Sequence, residues 1–122
     1  MRPLSQSALF AARHEVLALY MTEPLEQYLV QLVLATRDPA PYSERLASWV
    51  QYGASPRATI ALDRCARAHA WLAGRDFVTP EDVQTIAYDV LRHRVLLNYE
   101  AEAEGVTPDD FIRELLQVIA VP

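Results

Sequence analysis

The chain has 122 residues, of which 52% are hydrophobic, and it carries a net charge of −5 with a pI of about 5.1. This length suits one domain with a single modest core, and the acidic balance disfavours general nucleic-acid binding because phosphate backbones would repel the chain. The single cysteine excludes an internal disulfide. Because the sequence also shows no basic-then-apolar leader before the first helix, we expect a cytoplasmic location. The apolar runs are too short to cross a bilayer.

Two helices are predicted in the first third of the chain. A serine at position 5 or 7 caps the first, which runs to about Tyr20, and Thr22 caps the second, which runs to about Thr36. The prolines of residues 38–41 end the second helix. The apolar positions at helical spacing are Leu9, Ala12, Val16 and Leu17 in the first helix, and Leu25, Tyr28, Leu29, Leu32 and Val33 in the second.

The middle of the chain predicts a short helix followed by a long one. Residues 44–52 are sufficient for one or two helical turns, and residues 56–73 form a long helix that Gly74 ends in left-handed backbone geometry. The predicted buried face of the long helix comprises Ala58, Ala61, Leu62, Cys65, Ala68, His69 and Leu72.

Two helices near the C-terminus share one start signal. Thr79-Pro80 and Thr107-Pro108 each supply a threonine cap and a proline in the first turn, followed by acidic residues. Residues 93–105 between these helices are ambiguous, because they alternate like a strand and then read as a turn of helix. We therefore predict an all-α fold, a small helical bundle of one domain over residues 1–122, with room for one very short strand pair.

Several kinds of catalytic or metal site are not supported by the sequence. The 3 glycines stand singly, so no phosphate-binding loop is present. Cys65 and His69 lie one helical turn apart, but two ligands do not complete a metal site and we expect both to pack in the core. Ser55 lacks the surroundings of a nucleophile and is expected to cap a helix.

Residues 53–58, Gly-Ala-Ser-Pro-Arg-Ala, place a cation where a helix dipole disfavours it. With Ser55 as the cap and Pro56 first in the helix, Arg57 is second, at a cost of roughly 0.3–1 kcal/mol. Either a surface carboxylate or packing of the arginine stem on Trp49 offsets this cost, or Arg57 and the free N–H groups of the helix end bind an external anion such as a phosphate. Arg64, Arg67 and Arg75 extend a basic strip along the same helix, with Asp63 able to pair with Arg67.

Four stretches of the sequence resemble the C-terminal lid of the MoxR family of AAA+ ATPases. They are residues 53–58, 74–83, 89–94 and 98–101. The resemblance extends from about Ser5 to the C-terminus. It implies that Arg57 is the sensor 2 arginine, which with Ser55 and Pro56 faces the γ-phosphate of ATP bound with Mg²⁺ in an AAA+ core. The core is absent from these 122 residues, so we expect the chain to be part of a longer protein and to be inactive alone.

The resemblance also implies partners: the AAA+ core of the same protein, neighbouring subunits of a ring, and von Willebrand factor A domain proteins in chaperone-like remodelling. Arg92, His93 and Arg94 either contact such a subunit or cap a helix C-terminus. The alternative is a freestanding helical interaction or DNA-reading domain in which Arg57, Arg64 and Arg67 face nucleic acid. The acidic net charge argues against that alternative.

Overall fold

The computed structural model describes residues 5–122. It contains α1 (Gln6–Leu17), α2 (Glu23–Arg37), α3 (Glu44–Trp49), β1 (Val50–Tyr52), α4 (Ala58–Leu72), α5 (Pro80–Leu91), β2 (Leu96–Leu97), α6 (Tyr99–Ala103) and α7 (Pro108–Val118). The prediction of a helical bundle with one short strand pair is confirmed.

Side-chain caps begin every helix in residues 5–122 except α4. Their oxygens accept the N–H three residues on, which satisfies a donor that has no partner inside the helix. These capping residues are Ser5, Thr22, Ser43, Thr79, Asn98 and Thr107. Thr79 and Thr107 form complete capping boxes with Asp82 and Asp110. The start of α4 has no such cap, which sets it apart.

The segment that the sequence left ambiguous forms both predicted structures. β2 pairs antiparallel with β1, with Val50 opposite Leu97 and an irregularity before Tyr52 pairs with Leu96. Asn98 then ends the strand: its backbone N–H donates to the Trp49 carbonyl at 2.8 Å while its side chain caps α6. The strand pair thereby joins the end of α3 to the start of α6.

The hydrophobic core lies between α2, α4, α5 and α7. Helices α4 and α5 make the most extensive contact, and α7 packs against α2, α3 and α5. Tyr28, Leu62 and Phe111 are among the largest side chains with almost no exposed surface. The stripe predicted for α2 is fully buried. Helix α5 also buries five apolar residues, which are Val83, Ile86, Ala87, Val90 and Leu91.

The predicted buried stripe of α1 is only partly correct. Helix α1 packs on α4, yet none of its residues is fully buried. Leu9 and Phe10 are more than half exposed, whereas Ala12 and Val16 are half-buried. No helix in residues 5–122 is long and apolar enough to cross a membrane.

The predicted buried face of α4 is wrong in part. Ala58 and Leu62 are buried as expected, but the stripe continues through Ala66 and Ala70. Cys65 is exposed and Leu72 is 78% exposed. Because alanines occur on several sides of this helix, the neighbouring helices rather than the composition decide which side is buried.

Candidate functional site

The segment before α4 is held against the end of α2 by a close backbone approach. A Cβ atom at Gly53 would lie 2.3 Å from the Thr36 carbonyl oxygen and 2.5 Å from the Arg37 nitrogen. Such distances are far below van der Waals contact, so only glycine fits at residue 53 without a shift of the backbone.

Both polar groups of the Ala54 backbone are bonded to the same end of α2. The Ala54 N–H donates to Thr36 Oγ1 at 2.9 Å, and the Ala54 carbonyl accepts from Arg37 Nη1 at 3.2 Å. The Ala54 methyl group is fully buried. The loop of residues 53–57 therefore begins from a fixed position.

Helix α4 begins at Ala58, two residues later than predicted. Residues 55–57 form a turn instead, in which Ser55 Oγ accepts the Arg57 N–H at 3.2 Å. The N–H groups of residues 58–60 donate to the carbonyls of residues 55–57, in the same order, at 2.8–3.1 Å. The expectation of free N–H groups at this helix end is therefore wrong, because each of these four donors already has an acceptor within the chain.

Arg57 is the last residue of this turn, and its side chain is exposed. Within residues 5–122 its guanidinium forms no hydrogen bond or ion pair, so the predicted pairing with a surface carboxylate is not found. Arg45, rather than Arg57, lies over the Trp49 ring, at 6.0 Å from the ring centroid. The site thus offers one exposed guanidinium on a fixed loop.

The basic strip predicted along α4 is not continuous. Arg67 pairs with Asp63, as predicted, and also donates to a backbone carbonyl of the α1–α2 connection, so that only 14% of its side chain is exposed. Arg75 is bound to Asp82. Arg64 remains exposed on α4. Two of the three arginines that extend the predicted strip are therefore paired within the fold, and one of these two, Arg67, is also a cation of the nucleic-acid alternative.

The arginines after α5 also act within the chain. Arg92 donates to Asp109 at 2.7 and 3.2 Å and to Asp89 at 3.2 Å. Arg94 donates to the Val90 carbonyl at 2.6 Å, which satisfies an acceptor at the end of α5. The Arg94 contact agrees with the helix-capping interpretation, whereas Arg92 forms ion pairs that neither interpretation included.

The carboxylate of Asp82 forms a buried polar centre between α4 and α5. Both of its oxygens accept from Arg75 at 2.6 Å, His69 Nδ1 lies 2.6 Å from Oδ1, and the Thr79 N–H donates to Oδ2 at 2.7 Å. Burial opposes ionisation of Asp82, but the hydrogen bonds from Arg75, Thr79 and His69 together hold the pKa of this carboxyl well below its usual range. The centre fastens the turn that joins the two helices.

This arrangement corrects the interpretation of Cys65 and His69. His69 is a hydrogen-bond partner of Asp82 and is 38% exposed in its side chain, while Cys65 lies on the surface. In the part of the chain that the structure describes, no three His, Cys, Asp or Glu side chains are grouped as metal ligands.

The sequence and the fold of the chain are similar to those of known proteins. The model of the AAA lid domain family matches residues 43–115, which include the Gly53–Arg57 loop, the Asp82 centre and the strand pair. The chain belongs to the AAA lid domain family. This lid is 41% identical over 104 residues to Chaperone MoxR1 of Mycobacterium tuberculosis, a match that covers 84% of the lid and 28% of that protein.

Another relative and a solved structure are similar to the lid over most of its length. Protein MoxR of Methylorubrum extorquens is 39% identical over 105 residues, which cover 80% of the lid and 30% of the relative. A crystal structure from Cytophaga hutchinsonii, of a protein described as an ATPase, superposes with a TM-score of 0.93 at 44% identity, covering 98% of the lid and 36% of that chain. The lid therefore spans about a third or less of each of these proteins.

Sequence reasoning found the loop of the lid but missed what holds it. The Ser-Pro-Arg stretch was visible as a helix start, whereas Thr36 and Arg37 lie 18 and 17 positions from Ala54, the residue that they bind. The sequence likewise predicts a helix start at Thr79 but not the Asp82 centre, although Arg75 in the preceding turn is a signal for an ion pair. Both omissions are contacts between segments that local patterns do not connect.

Proposed function

We propose that this lid belongs to a MoxR-type AAA+ ATPase and that Arg57 is its sensor 2 arginine, which contacts the γ-phosphate of ATP bound by the AAA+ core of the same protein. The observation that carries the proposal is the exposed Arg57 guanidinium, unpaired within residues 5–122, on a loop whose backbone is fixed. Bidentate phosphate recognition requires such a group, planar and always charged.

The surroundings of Arg57 fit a phosphate that is held elsewhere. The N–H groups at the start of α4 are bonded within the chain, so the lid supplies a side chain and not a phosphate cradle. Residues 5–122 also offer no grouped carboxylates for Mg²⁺. ATP and Mg²⁺ would therefore be held by the core, with residues 1–122 forming one lid domain, and the nucleotide would supply the negative charge that Arg57 meets.

This division of labour gives the lid its mechanical role. While ATP is bound, contact between Arg57 and the γ-phosphate would hold the lid against the core. Once the γ-phosphate is gone, that contact is lost and the lid would be released. Ser55 and Pro56 would act by presenting Arg57, since Ser55 Oγ holds the Arg57 N–H and the ring of Pro56 limits the backbone before it.

The identity to a protein named a chaperone supports a wider proposal. The complete protein would form a ring in which each lid contacts a neighbouring subunit, and the ring would remodel client proteins together with von Willebrand factor A domain proteins. ATP hydrolysis in the core would drive this remodelling through motion of the lid.

The test is ATP turnover in the complete protein that carries this lid. Arg57→Ala should lower the turnover by about tenfold or more, because a guanidinium that contacts the transferred phosphoryl group contributes mainly to the transition state. The matched control is Arg64→Ala, which removes another exposed arginine of the same region and should leave turnover unchanged. Unchanged turnover and unchanged nucleotide-dependent assembly in Arg57→Ala would refute the proposal.

A further inference from the structure

The loop that carries Arg57 is attached to a polar side chain with no exposed surface. Among residues 5–122, Thr36 and Asp82 are the polar residues that are 0% exposed. Asp82 is explained by the turn between α4 and α5. Thr36 lies in the last turn of α2, where its hydroxyl donates to the Val33 carbonyl at 2.6 Å and accepts the Ala54 N–H at 2.9 Å.

Three separate contacts join the end of α2 to the loop. The hydroxyl of Thr36 holds the N–H of Ala54, the guanidinium of Arg37 holds the Ala54 carbonyl, and the backbone of both residues touches Gly53. One hydrogen bond would permit rotation about itself. Bonds on both sides of Ala54, together with the steric contact at Gly53, fix the position and the orientation of two successive peptide groups.

Few degrees of freedom separate this attachment from Arg57. The ring of Pro56 fixes its own φ angle, the Ser55 hydroxyl binds the Arg57 N–H, and the following residue, Ala58, is only 1% exposed. Arg57 is thus held on both sides by buried alanines. A shift of Ala54 relative to α2 must therefore move the origin of the Arg57 side chain.

We propose that Thr36 and Arg37 are positioning residues, which set the location of Arg57 relative to the phosphate that it contacts. This inference rests on the proposed function of Arg57. The magnitude at stake is large, because a misplacement of about 1 Å at a reacting centre can cost about 100-fold in rate. The helical position of Thr36 alone does not require a threonine, since a buried apolar residue of the same shape would also complete the last turn of α2.

The first experiment measures kcat and KM for ATP in the complete ATPase with Thr36→Val and Thr36→Ser. Valine keeps the shape but leaves the Ala54 N–H without an acceptor, so we expect kcat to fall by about 10- to 100-fold with a smaller change in KM. Serine restores the hydroxyl and should return kcat to within about threefold of the original protein. Circular dichroism and thermal unfolding verify that both variants are folded.

A double-variant cycle separates positioning from a general loss of structure. If Thr36 acts through Arg57, Thr36→Val should cause no further fall in kcat when Arg57→Ala is already present. A fall in kcat of the same size in both backgrounds would overturn the inference, as would a folded Thr36→Val protein with unchanged kcat. Should Thr36→Val fail to fold, Arg37→Met, a change at an exposed residue, replaces it in the cycle. We expect a smaller fall in kcat for Arg37→Met, and again no further fall when Arg57→Ala is present.

The results also distinguish this inference from the proposed function. If Arg57→Ala hydrolyses ATP normally and its nucleotide-dependent assembly is unchanged, the role of Arg57 is refuted and the positioning role is refuted with it. If Arg57→Ala is impaired while Thr36→Val and Arg37→Met are not, the role of Arg57 stands and the positioning role alone is overturned.

Discussion

Replacing Asp82 with asparagine tests whether the buried carboxylate centre stabilises the lid. Asparagine keeps one oxygen, which can still accept the Thr79 N–H and preserve part of the capping box. Its amide nitrogen, however, then takes the place of Oδ1 and faces the Nη2 donor of Arg75 at about the present 2.6 Å, while His69 Nδ1 loses its charged partner. The change therefore removes a charge partner from Arg75 and places an amide donor against a guanidinium donor.

The size of the effect follows from the exposure of the groups that lose their partner. Breaking a fully buried ion pair costs about 3–5 kcal/mol. The side chains of Arg75 and His69 are 30% and 38% exposed, so both can turn partly to water. We therefore expect Asp82→Asn to lower the free energy of unfolding by about 2–3 kcal/mol, which for a chain of this length lowers the Tm by roughly 8–12 °C.

The assay is thermal and urea unfolding of the 122-residue chain, with Asp110→Asn as the matched control. Asp110 occupies the same position of the second capping box but lies at the surface, where it binds Thr107 and Arg113. Asp110→Asn should therefore lower the free energy of unfolding by less than Asp82→Asn does. Equal losses for the two variants would refute the claim that burial of the Asp82 centre matters.

The pH dependence supplies an independent check. The pKa of Asp82 is lower in the folded than in the unfolded chain, so its contribution is fully present above the unfolded value of about 3.9 and is lost as the pH falls toward the folded value. The stability difference between the original chain and Asp82→Asn should consequently shrink below about pH 4. A difference that stays constant from pH 7 to pH 3 would contradict the assignment of the lowered pKa.

Two further predictions concern the loop and the isolated chain. Gly53→Ala should lower the free energy of unfolding by about 1–3 kcal/mol, because the new Cβ would meet the backbone of Thr36 and Arg37 at 2.3–2.5 Å; thermal unfolding measures this, and an unchanged Tm would show that the approach is not tight. The 122-residue chain alone should hydrolyse no ATP and bind it with a Kd in the millimolar range or weaker, since one arginine acts there without a phosphate cradle. Micromolar binding in calorimetry would be inconsistent with the division of roles between lid and core.

The helix boundaries could be predicted from the sequence because capping is local chemistry. Thr79 and Thr107 each bind an N–H three residues away, so each start signal lies within one short stretch of sequence. The end of α4 was equally readable, because Gly74 has a φ of +80°, which residues with a Cβ rarely adopt. Local sequence patterns therefore sufficed to predict these helix starts and the end of α4.

The start of α4 was predicted less well because Ser55 and Pro56 permit two solutions. A serine can cap a helix by accepting an N–H three residues on, or it can close a smaller turn by accepting the one two residues on, and Ser55 adopts the smaller turn. Ala54, the residue before Ser55, is bonded to Thr36, which lies 18 positions earlier. No local pattern encodes that contact.

The buried face of α4 was mispredicted for a related reason. A helix with alanines on several sides has no strong apolar direction, and it is contacted by α1, α2 and α5. Ala66 and Ala70 are buried on this helix, whereas Cys65 faces water. The arrangement of neighbours therefore decides a question that hydrophobic spacing leaves open.

The short strand pair has a consequence for the order in which the chain folds. It joins residues 50 and 97, so forming it from an extended chain means closing a long loop, whose entropic cost grows with the logarithm of loop length. Helices α4 and α5 lie inside that loop and fold onto each other across the short connection at Gly74. Packing of α4 against α5 brings the two flanking segments near each other, which lowers the entropic cost of pairing β1 with β2.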